Sequence, residues 1–270
     1  MEQNHLTLKK STKAIIVVCI TFIWLLFNWT SILNSIGTWY AKGDILPQDY
    51  KMAVKFFRIA AKYNNATAQY NLALSYDFGR GVRQNYNEAF KWYLKAAIKG
   101  QAQAQGNLGY CYKHGEGVEQ NDSLAVEWYR KAAKQGNIAG LNGLGGCYYD
   151  GKGVEQNYLE AVKYFKKAAA QDSEAAIYNL ALCYENGHGV EQNLDEAMKL
   201  YQQSAEKGDA KAQYKMGIFY KEGQGVEKSY TEAKIWLRKA AVQGYSKAIE
   251  ELGSIEDSIK KITKSLGEKK

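Results

Sequence analysis

The stretch Gly117-Val118-Glu119-Gln120-Asn121, GVEQN, returns unchanged from Gly153 and again from Gly189. Near copies flank it, GVRQN from Gly81 and GVEKS from Gly225, and each member lies 36 residues from the next. The residues around it explain the spacing. Ahead of each copy runs a segment with apolar residues at helical intervals, and another follows. In the leading segment, helix A, Leu72, Leu108, Leu144, Leu180 and Met216 share one position, and Tyr76, Tyr112, Tyr148, Tyr184 and Tyr220 come four residues later. A small residue follows the Leu or Met each time: Ala73, Gly109, Gly145, Ala181 and Gly217. In the trailing segment, helix B, Ala89, Ala125, Ala161, Ala197 and Ala233 recur, and three residues on stand Trp92, Trp128, Tyr164, Leu200 and Trp236.

GVEQN then reads as a stop and a start. Gly79, Gly115, Gly151, Gly187 and Gly223 fall just past helix A, where a left-handed C-cap costs glycine least. The glycine of GV asks for a second unusual backbone angle, and Val82, Val118, Val154, Val190 and Val226 plug the loop from below. Asn85, Asn121, Asn157, Asn193 or Ser229 is a good N-cap for helix B. Glu88, Glu160, Glu196 and Glu232, three residues further, suit a capping-box exchange, and Leu124 breaks that rule. Helix B ends at Gly100, Gly136, Gly208 and Gly244, with Asp172 as the exception. The repeated stretch is architecture and carries no chemistry.

These linked positions identify a resemblance. The pattern A-x-x-x-L-G-x-x-Y-x-x-G-x-G-V-x-x-(N/D)-x-x-x-A-x-x-W-Y-x-K-A-A-x-x-G stands nearly whole as Ala104 through Gly136 and covers about 66–244 in five units. It resembles the Sel-1-like repeat family, a cousin of the tetratricopeptide repeats. The resemblance implies an all-α chain, a right-handed α/α superhelical solenoid of about five 36-residue helix pairs whose concave face binds other proteins. DYKMAVKFFRIAAKYN from Asp49 matches helix B alone, so residues 34–65 read as a linker and a partial repeat. YSKAIEELG from Tyr245 matches helix A, making 245–270 a capping helix with a basic tail, as an array end requires.

The N-terminus differs in kind. Residues Ala14–Leu33, AIIVVCITFIWLLFNWTSIL, contain no charge, and twenty helical residues span roughly 30 Å, a bilayer's hydrocarbon thickness. Trp29 suits the headgroup level. Lys9, Lys10 and Lys13 precede the run, and Lys42 alone follows within fifteen residues. The expectation is a short cytoplasmic tail at 1–13, a transmembrane anchor at 14–33 and an exported solenoid, in a bacterium the periplasm facing the inner membrane. The alternative is a signal peptide cut near Ser35-Ile36-Gly37.

Charge argues against nucleic acid as a partner. The net charge is +8, of which residues 1–47 hold +2, residues 258–270 hold +4 and the whole body between holds only +2. Phosphate binding needs its charge on the folded surface. Catalytic, cofactor and metal sites are not expected. His5, His114 and His188 have no second ligand at a motif spacing, and the glycines form neither a dinucleotide fingerprint nor a P-loop. Cys111, Cys147 and Cys183 occupy one register in three units, and equivalent positions on stacked helices stand about 8–10 Å apart, too far for a disulfide. They read as small core residues. The competing reading, a secreted enzyme of the β-lactamase-associated, cysteine-rich Sel-1-like kind, needs two cysteines per unit.

The resemblance also implies where a protein or peptide would bind. The tetratricopeptide pattern places Tyr70, Asn142, Tyr178 and Tyr214 on the inner face, beside Leu74, Tyr110, Leu182 and Ile218. Lys113 and Tyr149 belong to the next row, with Asp77, Glu185 and Lys221. Asn71, Asn107 and Asn179 fall where some superhelical relatives carry an asparagine ladder for an extended peptide, interrupted here by Gly143 and Lys215. Rigid aromatics among scattered charges suit protein recognition.

Overall fold

A computed structural model of the chain describes residues 28–267, and every regular element among them is helical. Helix α1 covers residues 28–42. Helices α2 (Tyr50–Lys62), α3 (Ala66–Phe78), α4 (Tyr86–Ile98) and α5 (Ala102–His114) complete a first compact unit ending at Asn121. The second unit begins at Asp122 and holds α6 (Asp122–Lys134), α7 (Ile138–Asp150), α8 (Tyr158–Ala169), α9 (Glu174–Asn186), α10 (Leu194–Glu206), α11 (Ala210–Glu222), α12 (Tyr230–Val242) and α13 (Ser246–Gly267). Odd-numbered helices are type A and even-numbered ones type B. Inside each unit the extensive packing joins helices adjacent in sequence, the mark of a stacked repeat.

Every residue of the repeated stretch except the solvent-facing Glu has a structural task. The first loop glycines are left-handed C-caps, with φ between +67° and +76°. The second glycines are also left-handed, and a methyl group on Gly81, Gly117, Gly153 or Gly189 would lie 2.1–2.4 Å from the first helix-B carbonyl of the preceding repeat. Here glycine is needed for close approach as well as for its backbone angle. Val82, Val190 and Val226 pack on core clusters. Gln84, Gln156 and Gln192 donate their side-chain amides to the helix-A carbonyls of Asp77, Tyr149 and Glu185. Asn85, Asn157, Asn193 and Ser229 cap helix B by accepting from the N–H three residues on.

The reciprocal half of the expected capping box is not formed. The N-cap N–H of Asn85 donates instead to the carbonyl of Tyr76 at 2.9 Å, and the same bond recurs from Asn121, Asn157, Asn193 and Ser229 to their own recurrent Tyr. Glu88 and Glu160 turn to Lys91 and Lys163. With its donor spent across the loop, the cap residue has nothing left to give the carboxylate.

Residues 34–65, read above as linker and partial repeat, form a whole helix pair. Gly37 lies over the Phe57 ring, where a methyl group would sit 2.6 Å from it. Tyr40 stacks on Phe56 at 5.8 Å, and Leu33 and Ala41 pack on the same cluster as Phe57 and Leu72. The N–H of Asp49 closes onto Tyr40 as the later caps do. Stepping back 36 residues from Ala73, Tyr76, Gly79 and Ala89 gives Gly37, Tyr40, Gly43 and Ala53, a signal hidden beside the apolar run. The described part of that run, residues 28–33, is the first turns of α1, and its remainder, 14–27, lies outside the described residues. Among the described residues no helix is long and apolar enough to cross a membrane.

Candidate functional site

The helix-A faces are built from a buried stripe and a half-exposed one beside it. Leu72, Leu108 and Leu144 are fully buried, with Leu180 and Met216 close behind. Two residues to either side, exposure returns. Tyr70, Leu74, Asn142, Tyr178, Leu182, Tyr214 and Ile218 are half-buried, and Tyr110 is 47% exposed. None of the inner-face residues expected from the sequence is in the core.

In the second unit, Tyr178 leans on the buried ring of Tyr201 at 5.5 Å, and Tyr214 on Tyr245 at 5.4 Å. Burial pushes the Tyr178 phenol up to about 12 and raises that of Tyr214, so both present neutral hydroxyls. Leu182 and Ile218 follow them by four residues, one turn further along the same helices. The charges of this face are paired off within the protein. Lys215 bridges to Glu185 at 2.8 Å, and Lys221 pairs with Glu251. What remains for a partner is aromatic and aliphatic. Tyr245 was missed in the sequence because it sits in the N-cap register of the final helix, outside the variable rows.

The Tyr149 row position departs most from expectation. Its hydroxyl meets Nδ1 of His188 at 2.9 Å, and His188 stacks on Tyr158 at 4.2 Å with the rings 10° from parallel. From the loop of the next repeat, His188 therefore reaches two aromatic partners on the helices of the preceding one. Tyr149 points to that loop, and burial raises its pKa.

In the first unit, α1 and α3 enclose a cavity of about 270 Å³ on this face, reached by Asn71 and Leu74 and flanked by Lys42 and Arg80. Tyr70 lies 6.0 Å from the buried ring of Tyr93. The Tyr93 hydroxyl donates to Asp77 at 2.7 Å, and Asn107 acts on the same hydroxyl from the next helix A. Tyr110 lies against His114, with ring centroids 4.2 Å apart and the planes tilted by 39°, and Lys113 is half-buried.

The asparagine row is not a free ladder. Asn71 donates to Oδ1 of Asn34 and Asn179 to Oδ1 of Asn142, each at 2.9 Å, and Asn107 serves Tyr93. Asn71 and Asn179 thus tie successive helices A together, and Asn107 ties its helix A to the helix B before it. Gly143 interrupts the row because the Tyr129 ring fills the space, 2.5 Å from where its methyl group would be. Lys215 replaces asparagine where the neighbour is the Glu185 carboxylate.

The three thiols are buried and outside any disulfide. Burial, with Asp77 and Glu116 nearby, pushes Cys111 up to about 12, and burial alone does the same to Cys183. Such thiols are poor nucleophiles. Among the described residues no group of His, Cys, Asp or Glu is arranged to hold a metal ion.

The 36-residue helix pair, its glycine-closed loop and its alanine-lined core now stand against known proteins. The Sel1 repeat profile matches six consecutive segments, residues 33–64, 66–101, 102–137, 138–173, 174–209 and 210–245. The chain belongs to the Sel1 repeat family. Its first Sel1 unit is the one built by α1 and α2, and the count is six where the sequence pattern showed five and a remnant. A Sel1 repeat protein of Oxalobacter formigenes is 35% identical over 78% of this chain and 84% of its own, with a TM-score of 0.73. The protein c5321, a protective antigen of uropathogenic Escherichia coli with the same repeat fold, is 35% identical over 86% of this chain, with a TM-score of 0.67. The present chain spans about half the length of c5321. A Klebsiella pneumoniae Sel1 repeat protein, 22% identical over 75% of this chain and 99% of its own at a TM-score of 0.53, shares the fold. Comparison with curated proteins gives no match. Sel1 repeat proteins are in general non-enzymatic scaffolds that mediate protein–protein interaction.

Proposed function

We propose that this Sel1 protein is a membrane-tethered adaptor that holds a protein or an extended peptide against its helix-A faces. The observation that carries the reading is the exposed aromatic and aliphatic surface of the helices A within each unit. Tyr110 in the first unit, and Tyr178, Leu182, Tyr214 and Ile218 in the second, keep exposed surface, while Glu185, Lys215, Lys221 and Glu251 satisfy one another. Aromatic anchors beside self-paired charges favour an apolar partner segment over a charged one. The paired-cysteine pattern of the enzyme-like relatives is absent, since the repeats at 102–137, 138–173 and 174–209 carry one cysteine each and the other three carry none. Capture of partners from membranes by the wild type and by Tyr178→Ala and Tyr214→Ala tests this. Both variants should fold and capture less, and undiminished capture would move the site elsewhere.

The tether is the apolar run from Ala14, with the N-terminus in the cytoplasm and the Sel1 units exported, in a bacterium to the periplasm. The lysines before the run support that orientation; free thiols are unusual in an oxidising compartment, and burial of Cys111, Cys147 and Cys183 removes that objection without adding support. A phosphatase active only after export, fused behind Lys62, should be active, with the protein retained at full length in membranes. A soluble product starting near Thr38 would make the run a signal peptide.

A further inference from the structure

The near-neutral body conceals a division. Residues 48–101 carry nine Lys and Arg against three Asp and Glu, a balance of +6, whereas residues 102–257 carry eighteen against twenty-two, a balance of −4. The excess is focused on the helix-B side of the first unit. There α2 and α4 enclose a groove of about 540 Å³ lined by Arg58, Lys62, Lys95 and Lys99 around Trp92 and Ile98. Among the described residues no carboxylate pairs with these four cations. Lys95 lies over the Trp92 ring at 4.0 Å, Lys99 donates to the Asn64 carbonyl and Arg58 to the Tyr76 hydroxyl.

The groove is not a property of the repeat. In the second unit its four cation registers hold Arg130, Lys134, Lys167 and Gln171, then Lys166, Ala170, Gln203 and Lys207, then Gln202, Glu206, Lys239 and Gln243. The basic set is complete only beside α1. The chain enters the fold at the same place. Asn65 donates to the hydroxyls of Thr30 and Ser31, and Trp29 packs edge-on against Tyr63 at 4.6 Å, one residue beyond Lys62. Tyr63, Ile59 and Ile98 are exposed by 57%, 45% and 69%.

We infer that this basic groove and its aromatic and aliphatic rim rest on the headgroups of an anionic lipid bilayer, holding the first Sel1 units against the membrane. The inference builds on the proposed tether, since the apolar run reaches the fold beside the groove. Three features select lipid over a soluble polyanion. Exposed Trp29 and Tyr63 are the amphipathic rings that settle at headgroup level. Ile59 and Ile98 find acyl chains under phosphates, and nucleic acid would leave them in water. Each lysine near an anionic surface adds its own attraction, a sum that needs clustering without internal carboxylate partners.

The test uses the full chain reconstituted into vesicles of phosphatidylcholine, or of phosphatidylcholine mixed with phosphatidylglycerol. Lysines are acetylated with acetic anhydride, which crosses bilayers, and read by mass spectrometry. Lys62, Lys95 and Lys99 should be labelled about threefold less or lower in the anionic vesicles, and Lys166, Lys207 and Lys239 equally in both. High salt should abolish the difference, because screening lengths fall from about 10 Å at 0.1 M to about 3 Å at 1 M. Flotation with both vesicles but equal labelling of the groove would overturn this inference and leave the tether standing. Failure to float with either would overturn both. Protection of the same lysines by added RNA or polyaspartate, matching that by anionic lipid, would reassign the groove to a soluble partner.

Discussion

Lys215 donates to both carboxylate oxygens of Glu185, at 2.8 and 2.9 Å, across the junction of two successive Sel1 units. The buried Tyr201 hydroxyl reaches the same carboxylate at 2.5 Å. One repeat later the pair returns with its charges exchanged, as Glu251 and Lys221. These two junctions both place opposite charges at the two registers, in opposite orders. Lys215→Glu should therefore destabilise by about 1.5–3 kcal/mol, the range for a charged hydrogen bond. The double variant Glu185→Lys with Lys215→Glu should recover most of it, because the Tyr201 hydroxyl accepts as well as donates. Denaturant melts of Lys215→Glu, Glu185→Lys and the double variant decide it, and a double variant no better than the sum of the two singles would contradict the exchange.

Alkaline pH should loosen the stack. Burial and donation to Asp77 or Glu185 push Tyr93 and Tyr201 well above the ordinary phenol value of 10.0, and burial moves Cys111 and Cys183 from 9.0 to about 12. A group whose folded pKa is raised stabilises fully below its unfolded pKa and loses that contribution as pH rises through the folded value. The thiols open the window at pH 9.0 and the phenols steepen the loss above 10.0. The melting temperature should fall across that range, less steeply for Tyr201→Phe. A flat profile would mean these groups are hydrated.

Two loop glycines separate backbone strain from close approach. Gly189 and Gly225 share φ of +71° and +68°, but a methyl group on Gly189 would meet the Tyr158 carbonyl at 2.4 Å, whereas at Gly225 the nearest atom is 3.7 Å away. Gly225→Ala should cost about 1–2 kcal/mol for the left-handed backbone alone. Gly189→Ala should cost clearly more. Equal losses in thermal melts would show that the loops do not press on the preceding repeat.

Leu108 and Tyr110 stand two residues apart on α5, one fully buried and the other 47% exposed. Leu108→Ala should cost about 2–5 kcal/mol and loosen neighbouring repeats, since a stacked array is held by nearest-neighbour contacts. Tyr110→Ala should leave helicity and melting nearly unchanged. Equal destabilisation would mean that the α5 faces are misassigned.

Most of the fold was legible because each repeat position answers to a local rule: a cap, a left-handed glycine, a helical apolar stripe. The first repeat was hidden for a physical reason. Its helix A begins inside an apolar run long enough for a bilayer, so Gly37, Tyr40 and Gly43 lost their register to a stronger signal. The candidate site was half legible. Exposure of Tyr110, Tyr178 and Tyr214 follows from their spacing to the buried Leu and Met. The fate of Asn71 and Asn179, bonded to Asn34 and Asn142, does not, because hydrogen bonds between residues 37 apart depend on how closely two helices A approach.

Site-specific photocrosslinking tests the central claim, that the helix-A faces hold a protein partner, most directly. A photoreactive residue placed at Tyr110, Tyr178 or Tyr214, with Lys91, Lys163 and Lys199 on the exposed side of helices B as controls, is activated in native membranes. Discrete protein adducts should form from the three tyrosine positions and not from the lysine positions. Adducts of equal yield from both sets, or from the helix-B positions alone, would contradict the account.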